Sequence, residues 1–475
     1  MDSSRDLLDA RKAPPATGWT RRRFLGASAA GLLAPMLLPL DALARGGRPP
    51  NIVLILADDL GYGHLGCYGQ RRIRTPRLDR MAAEGVRFRQ FYSGSPVCAP
   101  SRAVLMTGRH MGNSPLQSNR GGVALPGVAV TMAEILKIAG YKTGCFGKWG
   151  LGEAGTDGTP TRQGFDEFFG YLHQVHAHFH YPAYLWHNDR RVELAGNSGR
   201  TARRGSGPER RQYAPDVING KALDFIRENR KSPFFCFLPT TLPHLELLVP
   251  HEAAAPYLEE FEEEKPFRGW SYHYAPQAAP RATLAGMISR MDRHVGQVLD
   301  HLRVLGLEED TLVIFTSDNG AHSIPGIGDF FEHNRPFRGG KRTLAEGGIR
   351  VPMIARWPGH VDAGRVSDWV GYAPDFLPTF AELAGAGEEV HLAAPVDGVS
   401  MVPELIGAKR AGRRQPRHEY LYWEWRRAEA VRSGRWKLWN SHLYDLRTDP
   451  GETNDLAADH PHVVRFLKRY MKQQP

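Results

Sequence analysis

Two short segments far apart in the chain offer hard oxygen donors. Asp58-Asp59 follows the apolar run Asn51-Ile-Val-Leu-Ile-Leu-Ala57, and Asp318-Asn319 follows Thr311-Leu-Val-Ile-Phe-Thr316 and Ser317. Carboxylates and a carboxamide suit Ca2+, with Mg2+ the second choice, and are the wrong set for a metal held by thiolates. A lone Asp-Asp at a strand end is more often a cap, but a third segment argues for a site. In Cys98-Ala99-Pro100-Ser101-Arg102 the Pro and Ser open a helix, and helix N-terminal amides favour an anion. A buried structural cysteine would account for Cys98 but not for the Pro, Ser and Arg that follow. Arg102 adds fixed positive charge. His244, just after an apolar run ending near Thr240, offers an imidazole suited to proton transfer near neutral pH.

The elements that must position these groups are legible as buried strands. Asn51–Ala57 is continuously apolar, as expected of a strand covered on both faces. Gly61, Gly63 and Gly66 follow its acidic end, and open α/β sheets place ligands at the carboxyl ends of their strands. Pro233–Leu238 and Thr311–Thr316 read as further central strands. Thr75-Pro76 starts a helix to about Glu84, and Thr131 caps another ending near Gly140. Ala278 to Leu305 has helical period, with Leu284, Met287, Ile288, Met291, Val295, Val298, Leu299 and Leu302 on one face. After about Gly385 the texture changes to short aromatic strands, at 419–425, 430–439 and 443–446, and a helix at 461–472. The expected architecture is α/β: a large mixed, mostly parallel sheet flanked by helices, then a small C-terminal antiparallel sheet with one helix. Arg190 to Arg211 reads as a mobile surface loop.

The chain has 475 residues, 24% of them charged, and a formal net charge of +10. That charge suits an anionic substrate, but no basic run tracks nucleic acid. Beyond the N-terminus no stretch is apolar enough to span a membrane. Four cysteines without metal-ligand spacing read as mostly buried free thiols. Residues 1–44 read as a signal peptide: Arg21-Arg22-Arg23-Phe24-Leu25, an apolar run from Gly26 to Leu40, then Ala42-Leu43-Ala44 as a cleavage site. The paired arginines resemble a twin-arginine signal, which implies a bacterial periplasmic or secreted protein; a Sec signal or an N-terminal anchor is the alternative. The domains expected are 1–44 signal, 45–385 catalytic and 386–475 C-terminal.

From Asn51 to about Ala457 the chain resembles the sulfatase family, within the alkaline phosphatase superfamily. Cys98-Ala-Pro-Ser-Arg102 is similar to the family's C-x-P-S-R signature, whose Cys is oxidised to formylglycine by a formylglycine-generating enzyme. Asn51 to Gly63 resembles its opening strand and metal loop, Gly147-Lys148-Trp149-Gly150-Leu151-Gly152 its second signature, and Ser317 to Gly320 its second metal segment. Arg338-Gly-Gly-Lys341 with Glu346-Gly-Gly-Ile-Arg-Val-Pro352 resembles its second lysine region, and Leu443 to Asn454 its C-terminal subdomain. The resemblance implies an alkaline-phosphatase-like fold. It implies catalytic roles for Cys98, Arg102, Lys148, His244 and Lys341, and a Ca2+ at Asp58, Asp59, Cys98, Asp318 and Asn319. A hydrated aldehyde would attack sulfur, and His244 would protonate the leaving oxygen.

Two positions depart from the family pattern. Gly150 stands where the signature usually has His, and His64 where the metal loop often has Asp. Loss of that histidine implies another base, slower turnover or none. His64, His176, His178 and His180 are the expected replacements, from the metal loop and from the histidine-rich segment His173–Tyr181. Histidines two apart would share one face of a strand. With His322, these four are also candidate substrate contacts.

Three functions therefore stay open. The first is hydrolysis of a sulfate ester on a sulfated small molecule or glycan. The second is phosphonate or phosphate monoester hydrolysis on the same fold. The third is a catalytically weak binder of sulfated glycan. The expected partners are the substrate, the formylglycine-generating enzyme and the export machinery, with no nucleic acid.

Overall fold

Strand β1 (Asn51–Ala57) is buried along its whole length, as its unbroken apolar run requires. The computed structural model describes residues 48–197, 210–263, 265–269, 274–324, 326–387 and 395–474. The signal-peptide reading of residues 1–44 lies outside them.

Around β1 the large sheet takes β2 (Val86–Tyr92), β3 (Lys142–Lys148), β4 (Glu167–Tyr171), β5 (Tyr184–His187), β6 (Arg190–Glu193), β7 (Phe234–Pro239), β8 (Thr311–Ser317), β9 (Arg350–Arg356) and β10 (Arg365–Ser367). Their order is β10-β2-β9-β8-β1-β7-β3-β4-β5-β6, with β11 (Gly371–Tyr372) also paired to β2. β8, β1, β7, β3 and β4 run parallel, whereas β9 is antiparallel to both β8 and β2. The mixed, mostly parallel sheet is thus as expected. Arg190–Glu193 is not a loop: it pairs antiparallel with β5 as the edge strand. Its exposed, charged residues suit an edge. The rest of that basic segment falls partly outside the described residues.

The Pro280–Val304 helix buries Leu284, Met287, Ile288, Met291, Val295, Val298 and Leu302 in the main core, the stripe its period foretold. Thr131 caps the Met132–Ile138 helix reciprocally with Glu134. The small sheet is a meander of β12 (Leu421–Trp425), β13 (Ala428–Ser433), β14 (Trp436–Trp439) and β15 (His442–Asp445). The single strand expected over 430–439 is therefore a hairpin. Ser433 pairs with Trp436, and Gly434 takes the positive φ of 56° that the turn needs.

Two clusters fix this sheet in place. Tyr92, Ile349 and Tyr372 pack with Leu421, Trp423 and Ala430 against the large sheet, while Leu467 and Tyr470 of the Pro461–Lys472 helix cover Tyr422, Val431 and Leu438. Buried Lys437 also reaches buried Glu346 at 2.9 Å. All four cysteines are free, three of them buried. Among the described residues no helix is long and apolar enough to cross a membrane.

Candidate active site

The carboxyl ends of parallel strands deliver the candidate groups to one place. Asp58 and Asp59 follow β1, Asp318 and Asn319 follow β8, Lys148 ends β3, and His244 lies just beyond β7. Cys98 is the first residue of the wholly buried Cys98–Thr107 helix, which follows β2. The Ala99 amide at its start donates to Asn119 Oδ1 at 2.9 Å. Two backbone hydrogen bonds tie the strand ends together, Asp318 N–H to Ala57 O at 3.0 Å and Asp58 N–H to Leu242 O at 3.1 Å. Asp59 adopts φ 63°, unusual for a residue other than glycine. Its neighbours hold it there: the Asp59 N–H donates to Asp318 Oδ1 at 3.1 Å and Asn319 Nδ2 donates to Asp59 Oδ1 at 2.8 Å.

Cys98 Sγ lies 3.5 Å from Asp58 Oδ1, 3.8 Å from Asp59 Oδ1 and 3.3 Å from Lys341 Nζ. Lys148 Nζ donates to Asp58 Oδ2 at 2.8 Å, and Lys341 Nζ to Asp59 Oδ2 at 2.7 Å. Arg102 donates to Asp318 Oδ2 from Nε at 3.0 Å and from one terminal nitrogen at 2.8 Å, and its other terminal nitrogen reaches Lys148 O at 2.6 Å. His244 Nδ1 contacts Leu245 O, and Lys341 Nζ lies 3.2 Å from Nε2. Because an ammonium only donates, Nε2 is the acceptor and Nδ1 carries the proton. These groups are nearly all buried, so their charges act in a weakly screened setting.

The electrostatics follow from that crowding. Burial raises the Asp58 carboxyl, but Lys148, His244, Arg102 and Lys341 outweigh it and hold Asp58 well below the usual range. Burial and the Asp58 charge push Asp318 up to about 6 despite Arg102. Burial pushes the Cys98 thiol up to about 12, against Lys148 and Lys341, so the unmodified thiol is protonated at neutral pH and a poor nucleophile. Burial, then Lys341, bring His244 down to about 3.

The donor set bears on which cation would fit. Asp58, Asp59, Cys98 and His244 bring ligand atoms within 4.8 Å of one another. A thiol and an imidazole would favour a softer ion, but the Lys341 ammonium already contacts Cys98, His244 and Asp59. The oxygens of Asp58, Asp59, Asp318 and Asn319 are the better fit. Asn319 Oδ1 is buried with no hydrogen-bond partner, an orphaned acceptor that a hard cation would satisfy.

The remaining candidates separate. His178 stacks on His244, with ring centroids 4.2 Å apart, and its Nδ1 lies 3.1 Å from Tyr274 Oη. His180 Nε2 lies 3.1 Å from His244 O. The segment is not a strand: His176–His178 is a 3-10 turn, so the shared-face argument does not hold, and His176 packs on Tyr171 and Tyr184. His64 Nδ1 accepts the Gly61 N–H at 3.1 Å in the loop after β1, and its ring meets His333. His322 is part-exposed and contacts Ser323 O, with Asp59 and Lys341 among the charges it senses.

Gln174 fills the space beside Gly150. Gly150 has φ 75°, and a Cβ there would lie 2.5 Å from Gln174 Oε1 and 4.0 Å from Lys148 Cε. That Oε1 is buried and without a hydrogen-bond partner. Sequence reasoning missed Gln174, Asn119 and Tyr274, since a lone amide or phenol carries no spacing that marks it.

Comparison with known proteins bears on this geometry. The sulfatase family model matches residues 50–386, and the model described as N-sulphoglucosamine sulphohydrolase, C-terminal, matches residues 337–474. The chain is similar to the N-acetylgalactosamine-6-sulfatase of Rattus norvegicus, 36% identical over 79% of this chain and 69% of the relative. It is 34% identical to arylsulfatase A of Homo sapiens over 91% of this chain and 89% of the relative. The crystal structure of Ps i-CgsB in complex with k-i-k-neocarrahexaose superposes with a TM-score of 0.74 at 30% identity, over 90% of this chain and 92% of that one.

Proposed function

The chain belongs to the sulfatase family and is a sulfuric ester hydrolase, and from that premise we propose that it removes sulfate from a sulfated carbohydrate using formylglycine derived from Cys98 and a bound Ca2+. The observation that carries the reading is the setting of Cys98 Sγ, within 3.8 Å of both Asp58 and Asp59 and 3.3 Å from Lys341. The glycan reading is supported by the rat relative, named for N-acetylgalactosamine, and by the neocarrahexaose bound to Ps i-CgsB.

Asp58, Asp59, Asp318 and Asn319 would hold the cation, which when bound neutralises sulfate oxygens. An aldehyde at position 98, once hydrated, supplies the oxygen nucleophile that the buried thiol does not. The chain's own part is charge and orientation. Lys148 and Lys341 bring ammonium groups to the carboxylates flanking Cys98, so an entering sulfate meets fixed positive charge in a water-poor site. Arg102 locks Asp318 with two donors and so holds the β8 end against the helix that carries Cys98. His244 faces the same centre; Leu245 O fixes its tautomer and Lys341 donates to Nε2, so the Lys341–His244 pair can deliver a proton to the leaving oxygen.

A second reading, weak hydrolysis, rests on Gly150, whose neighbour Gln174 cannot transfer a proton at neutral pH. Parallel assays on an aryl sulfate and an aryl phosphonate decide the reaction class: a rate on phosphonate above that on sulfate removes the sulfatase assignment of the site. We also propose export by the twin-arginine route, with Cys98 oxidised before export. Replacing Arg21, Arg22 and Arg23 with Lys should retain aldehyde-bearing protein in the cytoplasm, and retained protein with only unmodified Cys98 would refute that order.

A further inference from the structure

Between the large and small sheets lies a second cleft, of about 850 Å3, none of whose lining residues belongs to the cluster around Cys98. Six arginines line it, Arg89, Arg350, Arg417, Arg432, Arg435 and Arg447, against two carboxylates, Asp368 and Glu404. The carboxylates are already engaged: Asp368 pairs with Arg89, and Glu404 with Arg365. Arg350 pairs with Glu346 and Arg435 with Asp445.

The other three arginines carry the excess. Arg432 is 3% exposed, yet its guanidinium is hydrogen-bonded only to neutral groups, Tyr92 Oη, Gln90 Oε1 and Gly434 O. Tyr92 Oη links it to buried Glu346, but Arg350 and Lys437 already pair with that carboxylate, so the concave, low-dielectric wall keeps an excess of positive charge. Arg417 and Arg447 are exposed at the cleft and make no side-chain hydrogen bond or ion pair among the described residues. Part-exposed Trp369, whose Nε1 donates to Pro416 O, adds an aromatic surface.

We propose that this cleft is a non-catalytic binding site for the sulfated glycan chain, engaging sulfate groups through Arg417 and Arg447 over the Arg432 wall. The proposal rests on the carbohydrate-sulfatase reading above. Guanidinium groups bind oxyanions through paired N–H donors, and the planar Trp369 ring suits a sugar face better than a bare phosphate backbone. A polymer repeats its sulfates, so anchoring one repeat here raises the effective concentration of others at Cys98 without any new contact at the reacting atoms.

The test compares wild type with Arg417→Ala/Arg447→Ala, both surface positions outside the site around Cys98. Gel retardation is measured in ι-carrageenan and in chondroitin sulfate, each beside its chemically desulfated form, and in duplex DNA. Kinetics are measured on the retarding polymer and on a small aryl sulfate. The expected result is sulfate-dependent retardation that the double variant loses, with KM on the polymer raised by about tenfold, kcat unchanged, and aryl sulfate kinetics unaltered. Equal retardation of wild type and variant, no retardation of wild type by either polymer, or retardation by DNA as strong as by sulfated polymer would each overturn the proposal. A wild type that hydrolyses no sulfate ester would remove the hydrolytic reading instead, while the retardation still decides the cleft.

Discussion

The ring of His178 lies on the ring of His244, with centroids 4.2 Å apart and planes 20° from parallel. His178 is itself held by Tyr274 Oη, and His180 reaches the His244 backbone. The histidine-rich segment therefore braces His244. His244→Ala should lower kcat by ~10²-fold on sugar sulfates, which need leaving-group protonation. His178→Ala should cost about tenfold there through misplacement. Both should be nearly silent on an aryl sulfate with an acidic phenol. An equal loss on both substrates for His178→Ala would exclude a bracing role.

Gly150 and Gln174 give a prediction opposite to a simple restoration. A side chain at Gly150 meets Gln174 Oε1 and must adopt φ 75°. Gly150→His should therefore lose ~1–3 kcal/mol of stability from backbone strain alone and should not raise kcat. Gly150→His/Gln174→Ala should recover part of the activity, because the clash is gone. A single Gly150→His enzyme that is as stable as wild type and faster would contradict this account of the pair.

The joint between the two sheets carries a pH signature. Burial raises the Glu346 carboxyl, but Lys437, Arg350 and Arg432 outweigh it and hold it at about 2. A carboxylate lowered on folding contributes stability above its unfolded pKa of ~4.3, and that contribution is lost as pH falls from there toward about 2. Tm should drop across this window, and Glu346→Gln should flatten the drop. At pH 7 the same change leaves buried Lys437 with its second partner, Glu452 at 2.8 Å, so the loss in denaturant unfolding should stay below the ~3–5 kcal/mol of a wholly unpaired buried charge. An unchanged pH dependence in the variant would show that Glu346 does not carry it.

Metal binding has a readout apart from activity. A cation that binds only the folded chain raises Tm with its concentration. Ca2+ added after chelation should raise Tm more than Mg2+, and Asp318→Ala or Asn319→Ala should abolish that rise. A full Ca2+ response in Asn319→Ala would exclude its orphaned Oδ1 from the ligand set.

How much of this was legible in the sequence depends on whether an element's signal is local. β1 and β8 announce themselves because burial on both faces demands unbroken apolar runs, and their acidic ends mark where ligands gather. The Pro280–Val304 helix shows its apolar stripe in the same way. His176–His178 does not follow its pattern, because a periodicity of two presumes a strand, whereas the segment turns. Gln174 carried no signal, since its meaning comes from Gly150, which it meets only in space. The hairpin at Gly434 and the arginine cleft are of the same kind: Arg89, Arg350, Arg417 and Arg447 are scattered along the chain and converge only through the sheets.

The most direct test of the central claim is the mass of the peptide carrying Cys98, taken from purified fractions of graded activity on a sulfate ester. The account predicts an aldehyde at position 98, in a proportion that tracks specific activity, and no activity in Cys98→Ala. Full sulfatase activity in protein whose Cys98 is entirely unmodified would contradict it.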